Sequence, residues 1–357
     1  MSVERLKRAS QAITAQRKDL AAAIAVLEYK VPTGEGTTVD NEAHEKLVRD
    51  VSHHLTYLAE ALAVADPILF IDYVGWIKSL SVGSGDPDDV LVMTLESMVA
   101  VLNERLAPDL ASLAASYITA GLERVTEASG AVPSFLPEDA PLASLAREYL
   151  AALLAGERHV ASCLVLDAVE SGTYIKDVYL HVFQRSQYEI GRLWQMNRVT
   201  VAQEHYCTAA TQLIMSQLYP HLFSMDRIGR RLVATCAGDE LHELGVRMVA
   251  DFFEMEGWDT YYLGANVPAD SILQACVDNE ADLLAISATM VFHVQQVADT
   301  IERIRTSLPT GALKILVGGY PFNIAPDLWR KVGADGHALD ALGAVKLAGQ
   351  LLENDNG

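Results

Sequence analysis

The segment Gly238-Asp239-Glu240-Leu241-His242-Glu243-Leu244-Gly245 decides how the second half of this 357-residue chain is organised. It follows an apolar run at 231–236 that predicts a strand, and it precedes an apolar pattern that predicts a helix. His242 therefore lies in a loop at the carboxyl end of a strand, where open α/β sheets bind ligands. Glu240 can accept the second imidazole N–H, and Gly245 allows backbone or ligand to approach closely. On its own, a His in such a loop is also typical of a solvated or capping residue.

The rest of the second half alternates strands and helices. We predict strands near 231–236, 259–263, 282–286, 314–317 and 334–338, and helices near 241–255, 269–278, 293–307, 325–331 and 340–353. Five short strands that alternate with helices are typical of a parallel, doubly wound sheet of the flavodoxin-like, Rossmann-type kind. In its 2-1-3-4-5 strand order, the loops after the first and third strands flank the ligand-binding crevice. His242 and Ser287 follow those two strands.

Helical patterns fill the first two thirds of the chain. Residues 1–130 predict an all-helical domain of about five helices, globin-like or otherwise compact, with loops at 32–38 and 81–87. Three prolines within 131–141 predict an interdomain linker. A four-helix bundle over 142–225 and an α/β domain over 228–357 follow, and the bundle helices are predicted at 142–155, 158–170, 173–196 and 200–219.

Composition and charge exclude several classes of protein. The formal charge is −20, so we expect no direct nucleic-acid partner. The chain has no run of about 18 apolar residues, so we expect no membrane-spanning helix, and its N-terminus lacks a signal-peptide core. The four cysteines lie far apart in apolar contexts. We therefore expect buried thiols in a reducing, cytoplasmic setting.

The His242 segment is followed by four further motifs in a fixed order, which are 256–268, Ile286-Ser-Ala-Thr289, Leu316-Val-Gly-Gly319 and Gly333-Ala-Asp-Gly336. This succession, over about residues 228 to 355, resembles the cobalamin-binding domains of methionine synthase, corrinoid methyltransfer proteins and light-sensing cobalamin repressors. The resemblance implies that His242 replaces the benzimidazole as the lower axial ligand of cobalt. It also implies that the nucleotide tail passes Ser287, Thr289, Gly318 and Gly319. Many relatives have Ser-x-Leu where this chain has Ser287-Ala-Thr289.

The bundle contains Trp194, nine further residues, and then the pair Glu204-His205. Taken alone, this spacing is typical of a core Trp near a helix end, followed by a capped helix. Beside a cobalamin-binding domain it resembles the signature of the adenosylcobalamin photosensors related to the CarH-like repressors. The resemblance implies that Trp194 covers the 5′-deoxyadenosyl group, and that Glu204 and His205 contact this group or the corrin edge. Gln195 stands where the repressors have a cobalt-binding His, and the acidic helical region stands where they have a DNA-binding domain.

A cobalamin photosensor with an additional helical N-terminal domain resembles the photocobilins, which hold biliverdin beside cobalamin. The resemblance implies biliverdin as a second chromophore. It would be bound non-covalently, because no Cys precedes Cys163. The candidates for an aromatic groove are Tyr57, Phe70, Tyr73 and Trp76, and the candidates for its polar contacts are Arg49, His53 and His54. Packing within the core of the domain explains each aromatic residue equally well.

We therefore expect a light-sensing protein rather than an enzyme. Loss of the adenosyl group in light would change the packing of the bundle and the quaternary structure of a homo-oligomer, and would signal to an effector protein. The alternative is a corrinoid carrier protein for methyl transfer, which would share the bundle and the His242 motif. The cobalamin module of a mutase would need a substrate-binding barrel, which neither the length nor the pattern of the chain provides.

Overall fold

A computed structural model describes residues 2–29, 41–84, 88–127, 133–222 and 226–353. The loop predicted at 32–38 lies outside these residues. The chain divides into two compact units, which are Met1–Gly130 with Ala288–Asp299 and Tyr320–Gly333, and Ala131–Ser287 with Thr300–Gly319 and Ala334–Gly357. None of the helices in the described ranges is long and apolar enough to cross a membrane.

Five helices form most of the first unit, as the sequence predicts. They are α1 (Val3–Tyr29), α2 (Asn41–Ala63), α3 (Pro67–Ser84), α4 (Asp88–Arg105) and α5 (Pro108–Glu127). The loop predicted at 81–87 is wrong for its first residues, because α3 continues to Ser84. The Ser81 hydroxyl donates to the Ile77 carbonyl over 3.2 Å, so this side chain is satisfied within the helix. Residues 85–87 lie outside the described part.

The bundle of the second unit begins with α6 (Ala143–Leu154) and α7 (Arg158–Glu170) and ends with α10 (Val201–Gln217). Its third helical stretch is predicted as one helix over 173–196, but it consists of three pieces. These are α8 (Ile175–Asp177), a π-helical segment (Val178–Phe183) and α9 (Gln184–Gln195). The π-helical segment buries the side chains of Val178, Tyr179, Val182 and Phe183. The wider turn of a π-helix allows these side chains to pack together.

Residues 133–141, the described part of the proline-rich segment before α6, contain no helix or strand, yet they are attached to the bundle. The Leu136 side chain lies in the bundle core. The Phe135 N–H donates to Glu189 Oε2 over 2.9 Å, and Glu189 Oε1 lies 2.6 Å from Arg192 Nη2. Residues 133–141 are therefore packed against the bundle and do not form a free spacer. The domain boundary predicted at 131–141 stays a prediction.

The sheet of the second unit has five parallel strands in the order β2-β1-β3-β4-β5. They are β1 (Arg231–Cys236), β2 (Asp259–Gly264), β3 (Leu283–Ser287), β4 (Lys314–Gly318) and β5 (Gly336–His337). This order confirms the predicted flavodoxin-like sheet. The central strands β1, β3 and β4 are buried along nearly their whole length, as strands covered on both faces should be.

The helices of the α/β part differ from the predicted ones in detail. They are α11 (Leu244–Met255), α12 (Ala269–Asp278), α13 (Val294–Ser307), α14 (Tyr320–Ile324), α15 (Leu328–Lys331) and α16 (Ala341–Glu353). The helix predicted at 325–331 is shorter, and α11 begins three residues later than predicted because the preceding loop turns at Asp239, whose φ is 58°. A Cβ at Gly336 would lie 2.8 Å from Leu347 Cδ2, so α16 packs closely on β5 at this position.

Helix α11 packs against the bundle on one side and against the sheet on the other. Met248 and Phe252 belong to the apolar core of the bundle, whereas Val246 and Phe253 belong to that of the sheet. A buried polar contact lies at the same junction, where Tyr179 Oη donates to Asp251 Oδ2 over 2.9 Å. Burial raises the pKa of Asp251 to about 6 from its ordinary 3.8. The junction between the two domains therefore contains a carboxyl group that favours its protonated form.

We expect the Asp251→Asn variant to be more stable than the unaltered protein at pH 7. The pKa of Asp251 is higher in the folded state, so the free energy of unfolding rises as the pH falls from about 6 to about 4. Asn keeps an acceptor for Tyr179 Oη without a charge, so its advantage of roughly 1–3 kcal/mol at pH 7 should vanish near pH 4. Urea unfolding of both proteins across this pH range measures the difference in their free energy of unfolding. A difference independent of pH would contradict the assignment to Asp251.

Candidate functional site

The carboxyl ends of β1, β3 and β4 meet in one row. Cys236 pairs with Ser287, and Ser287 pairs with Gly318. Gly319 follows with a φ of 99°, a conformation that favours Gly. The Ala237 N–H donates to the Ser287 carbonyl over 2.9 Å, so the loop that leaves β1 starts against the end of β3. The sheet thus brings Ser287, Gly318 and Gly319 to one edge, beside the loop that leaves β1.

His242 and Glu240 form a hydrogen-bonded pair in the loop between β1 and α11. The side chain of Glu240 is 0% exposed, whereas that of His242 is 56% exposed. Glu240 Oε1 lies 2.6 Å from His242 Nδ1 and 3.0 Å from the backbone nitrogen of His242. An ionised carboxylate only accepts hydrogen bonds. Nδ1 therefore carries a proton, and Nε2 is the ring nitrogen that can bind a metal ion.

Charges around His242 favour its protonated form. The hydrogen bond to Glu240 raises the pKa of His242 above its ordinary value, and partial burial opposes this effect. The charges of Glu240 and of Glu204 act in the same direction as the hydrogen bond. Because Glu204 belongs to α10, the carboxylate of the bundle motif lies within electrostatic reach of His242. That the two sequence motifs form one site stays a prediction.

Asn266 holds the His242 loop from the side of β2. Its Oδ1 accepts from the Asp239 N–H over 3.0 Å, and its own N–H donates to the Glu240 carbonyl over 3.2 Å. Its φ is 54°, which Asn tolerates better than most residues. The motif at 256–268 contains this residue without revealing its role, because the contact depends on how the strands pair.

Two hydrogen bonds join the His242 loop and α11 to the bundle helix α10. Gln212 Nε2 donates to Glu243 Oε1 over 2.9 Å, and Arg247 Nη2 donates to Ser216 Oγ over 2.7 Å. Glu243 directly follows His242 in the chain. A displacement of α10 would therefore pull on the loop that carries His242. No sequence motif marks these contacts, since their partners lie on different elements.

The bundle motif lies around the turn between α9 and α10. Thr200 caps α10, where its Oγ1 accepts from the Gln203 N–H over 3.2 Å. Trp194, in the last turn of α9, is 37% exposed, so it is not a fully buried core residue. Glu204 and His205 contact each other through Oε2 and Nδ1, and the His205 side chain is 75% exposed. All three predicted side chains therefore reach the surface of the bundle.

A chain of hydrogen bonds runs from Glu204 into the bundle. Thr208 Oγ1 lies 3.2 Å from Glu204 Oε1 and 3.0 Å from Gln187 Oε1. Gln187 Nε2 donates to Thr211 Oγ1 over 2.9 Å, and Thr211 Oγ1 lies 2.8 Å from Tyr149 Oη. Because Tyr149 and Thr211 are completely buried, this network anchors the Glu204 carboxylate to the bundle core.

The sequence also predicts Gly245 and Thr289 as cofactor-binding residues. A Cβ added to Gly245 would meet no protein atom within 4 Å, so open space lies beside the first turn of α11. Thr289 belongs to the first unit, and its role stays a prediction.

The residues predicted for a bilin groove lie in the first unit. Tyr57 is buried and stacks on Tyr73, with ring centroids 3.7 Å apart. Trp76 is half-buried, and His53 is exposed. Stacking covers one face of the Tyr57 ring, which is the packing expected of a core aromatic residue. The bilin contacts stay a prediction.

His242 is the candidate metal ligand of this site, with an exposed imidazole. Throughout the ranges that the structure describes, no group of three or more His, Cys, Asp or Glu side chains could hold a metal ion. A single exposed imidazole fits a metal that arrives with most of its ligands already in place. A corrinoid does so, because its ring supplies the equatorial nitrogens and leaves a lower position that a single exposed imidazole can fill. The residues present fit such a group.

Comparisons with known proteins agree with this chemistry. Residues 230–346 match the family model described as a B12 binding domain, and residues 145–219 match a second model with the same description. Dimethylamine corrinoid protein 3 of Methanosarcina acetivorans is 31% identical over 127 residues, which are 35% of this chain and 58% of that protein. The aligned part of the chain thus spans less than two thirds of that relative. A corrinoid protein of Desulfitobacterium hafniense is 23% identical over 215 residues, which are 58% of this chain and 98% of that one.

The fold has a counterpart among solved structures. The Methanosarcina barkeri monomethylamine corrinoid protein aligns with a TM-score of 0.53 and 19% identity, over 58% of this chain and 98% of that one. This likeness shows the fold alone. The two domain matches identify residues 145–219 and 230–346 as B12 binding domains. The cofactor class is a cobalamin-type corrinoid, and the His242 loop and the bundle motif both lie within the matched residues.

We expect the Glu240→Gln variant to bind cobalamin about 10-fold more weakly, because a neutral amide makes the imidazole a poorer ligand. Gln has nearly the same shape as Glu, so the loop should keep its fold. Titration of the cofactor-free protein with cobalamin measures the effect. Glu302→Gln, an exposed carboxylate on α13, is the matched control and should bind as the unaltered protein does. If Glu240→Gln and Glu302→Gln bind cobalamin with equal affinity, Glu240 does not contribute to the site.

Proposed function

We propose that the protein is a corrinoid carrier, in which His242 binds cobalt in place of the benzimidazole and the bundle covers the opposite face of the ring. The observation that carries this proposal is the hydrogen-bonded pair of buried Glu240 and exposed His242 at the carboxyl edge of the sheet. When bound, the corrinoid would supply a cobalt–carbon bond from which an upper alkyl group can be removed.

The residues of the chain divide the work around such a cofactor. His242 would hold the cobalt through Nε2, and Glu240 would keep the proton on Nδ1. Ser287, Gly318 and Gly319 offer a hydroxyl and close backbone approach for the nucleotide tail. The bundle would shield the cofactor from water, and the contact between Gln212 and Glu243 joins the bundle to the His242 loop.

The comparisons support transfer of methyl groups between partner proteins better than they support light sensing. The similar proteins are named dimethylamine and monomethylamine corrinoid proteins. A carrier of this kind needs no catalytic residues of its own, since the partner enzymes supply substrate binding and proton transfer. Under this proposal, the bundle moves aside when a partner approaches the upper ligand.

A second candidate, light sensing through adenosylcobalamin, is favoured by one specific observation. Trp194 is 37% exposed near the turn between α9 and α10, where a planar nucleoside could stack on it. Glu204 is anchored nearby and could accept from ribose hydroxyls. Loss of the adenosyl group in light would leave this surface without its ligand, with a change in homo-oligomeric state and in binding to an effector. Biliverdin would be the second chromophore.

One experiment separates the two candidates. The full-length protein is loaded with methylcobalamin or adenosylcobalamin in the dark, and absorption and molecular mass in solution are measured before and after green light. Equal affinity for both forms, with no change in mass, supports methyl transfer. Preference for the adenosyl form, with a light-driven change in mass, supports the sensor. If neither form of cobalamin binds, both candidate functions are overturned.

The Trp194→Ala variant gives a sharper prediction for the sensor. Loss of the stacking surface should weaken binding of adenosylcobalamin by roughly tenfold and leave methylcobalamin nearly unaffected. The matched control is Trp329→Ala, a half-buried Trp in α15 outside this site. An equal loss for both forms of the cofactor would argue against a role in covering the adenosyl group.

A further inference from the structure

The first unit contains a buried cluster of aromatic and titratable side chains that methyl transfer by a corrinoid carrier does not use. His54 on α2 and Tyr73 on α3 are 7% and 4% exposed. Tyr73 Oη lies 2.7 Å from His54 Nδ1. The Tyr57 ring stacks on Tyr73 at an interplanar angle of 13°, and Trp76 lies 6.0 Å from Tyr73 between ring centroids. A phenol, a base and two neighbouring rings are thus held together away from water.

The protonation states of this pair are defined by burial. Burial lowers the pKa of His54 to about 4, and the charge of His53 acts in the same direction, so the imidazole is neutral at pH 7. Burial also raises the pKa of Tyr73 well above its ordinary value, so the phenol keeps its proton. A neutral imidazole accepts at one of its nitrogens. Donation from Tyr73 Oη to His54 Nδ1 satisfies the buried phenol proton and places the imidazole proton on Nε2.

We propose that Tyr73 is a site of reversible one-electron oxidation, with His54 as its proton acceptor and Tyr57 as its stacked partner. An outer-sphere one-electron oxidant, such as an oxidised metal complex, takes one electron from the phenol. In the same step the O–H bond of Tyr73 breaks and an N–H bond forms at His54 Nδ1. The products are a neutral tyrosyl radical, an imidazolium ion and the reduced oxidant. Return of the electron and the proton restores the starting state.

The position of the proton acceptor favours this step. Oxidation without proton transfer would leave a phenol radical cation, which is a much stronger acid than an imidazolium ion and therefore gives its proton to His54. The hydrogen bond already aligns the proton with its acceptor, so the proton moves only a short way along it.

The neighbouring rings provide a route for the electron and shelter for the radical. Trp76 is half-buried and tilted by 31° against Tyr73, so it connects the pair to the surface of the unit. The face of Tyr73 toward Tyr57 is covered at 3.7 Å, and Tyr57 itself contacts Phe292 at 5.6 Å between ring centroids. This packing keeps water and soluble reductants from the ring that carries the radical.

The test uses the full-length protein and photogenerated tris(bipyridine)ruthenium(III) as the oxidant, with electron paramagnetic resonance and transient absorption as readouts. The chain has 13 tyrosines, so variants must assign the signal. A long-lived neutral tyrosyl radical is expected, and Tyr73→Phe should abolish it. His54→Asn keeps an acceptor oxygen near the position of Nδ1 but removes the base. Its radical yield should fall by about tenfold or more.

Controls keep the test independent of folding. Tyr57→Phe retains the stack and should retain the signal, and thermal unfolding of every variant shows whether its fold is intact. The unaltered protein supplies a second measurement, because radical formation should be slower in D2O if the proton moves with the electron. Equal yields in the unaltered protein, Tyr73→Phe and His54→Asn, or equal rates in H2O and D2O, would overturn the proposal.

Discussion

Replacement of His242 by Ala should weaken cobalamin binding by about 100-fold or more and should return the benzimidazole to cobalt. Loss of a residue that merely orients a metal ligand already costs about 10–100-fold in metal affinity, and His242 is the proposed ligand itself. Its side chain is 56% exposed, so truncation should leave the fold intact. Titration of the cofactor-free protein, followed by the absorption spectrum of the bound cobalamin, measures both effects.

The matched control is His159→Ala, an exposed His on α7 outside the site. It should bind cobalamin with the affinity and the spectrum of the unaltered protein. Free imidazole should restore part of the binding to His242→Ala, because it can enter the space that the side chain leaves. An identical spectrum and affinity for the two variants would exclude His242 as the lower ligand.

Replacement of Phe252 by Ala should lower the free energy of unfolding by about 3–5 kcal/mol. Phe252 is completely buried in α11, and its ring lies 6.0 Å from that of Tyr179 between centroids. Truncation would leave a cavity where the bundle packs on α11, and the surrounding side chains could collapse into it only in part. Chemical unfolding followed by circular dichroism checks the loss.

Phe135→Ala is the matched control for this change, because Phe135 is 40% exposed and contacts mainly Tyr188, at 5.4 Å between centroids. Its cost should be much smaller. Phe252→Ala should also weaken cobalamin binding, since α11 begins just after the His242 loop and fixes its position. If Phe252→Ala has the same free energy of unfolding as Phe135→Ala, packing at this junction does not stabilise the bundle.

Several features of the fold follow from local sequence. The strand order is predictable because short apolar runs alternate with helical patterns, and parallel connections of this kind allow few topologies. The pairing of Glu240 with His242 needs only two residues in one loop, so it is visible in the motif. The alignment of Ser287 with Gly318 follows because the carboxyl ends of adjacent parallel strands share one edge.

Other features were decided only by tertiary packing. The contacts of Asn266 with the His242 loop and of Gln212 with Glu243 join residues on separate elements, and no local pattern encodes such pairs. The π-helical segment Val178–Phe183 interrupts a sequence that is helical by pattern, because burial of its large side chains overrides the regular turn. Local periodicity determines which segments are helices and strands. The pairing of distant side chains depends on burial and hydrogen bonding that exist only once those segments have packed.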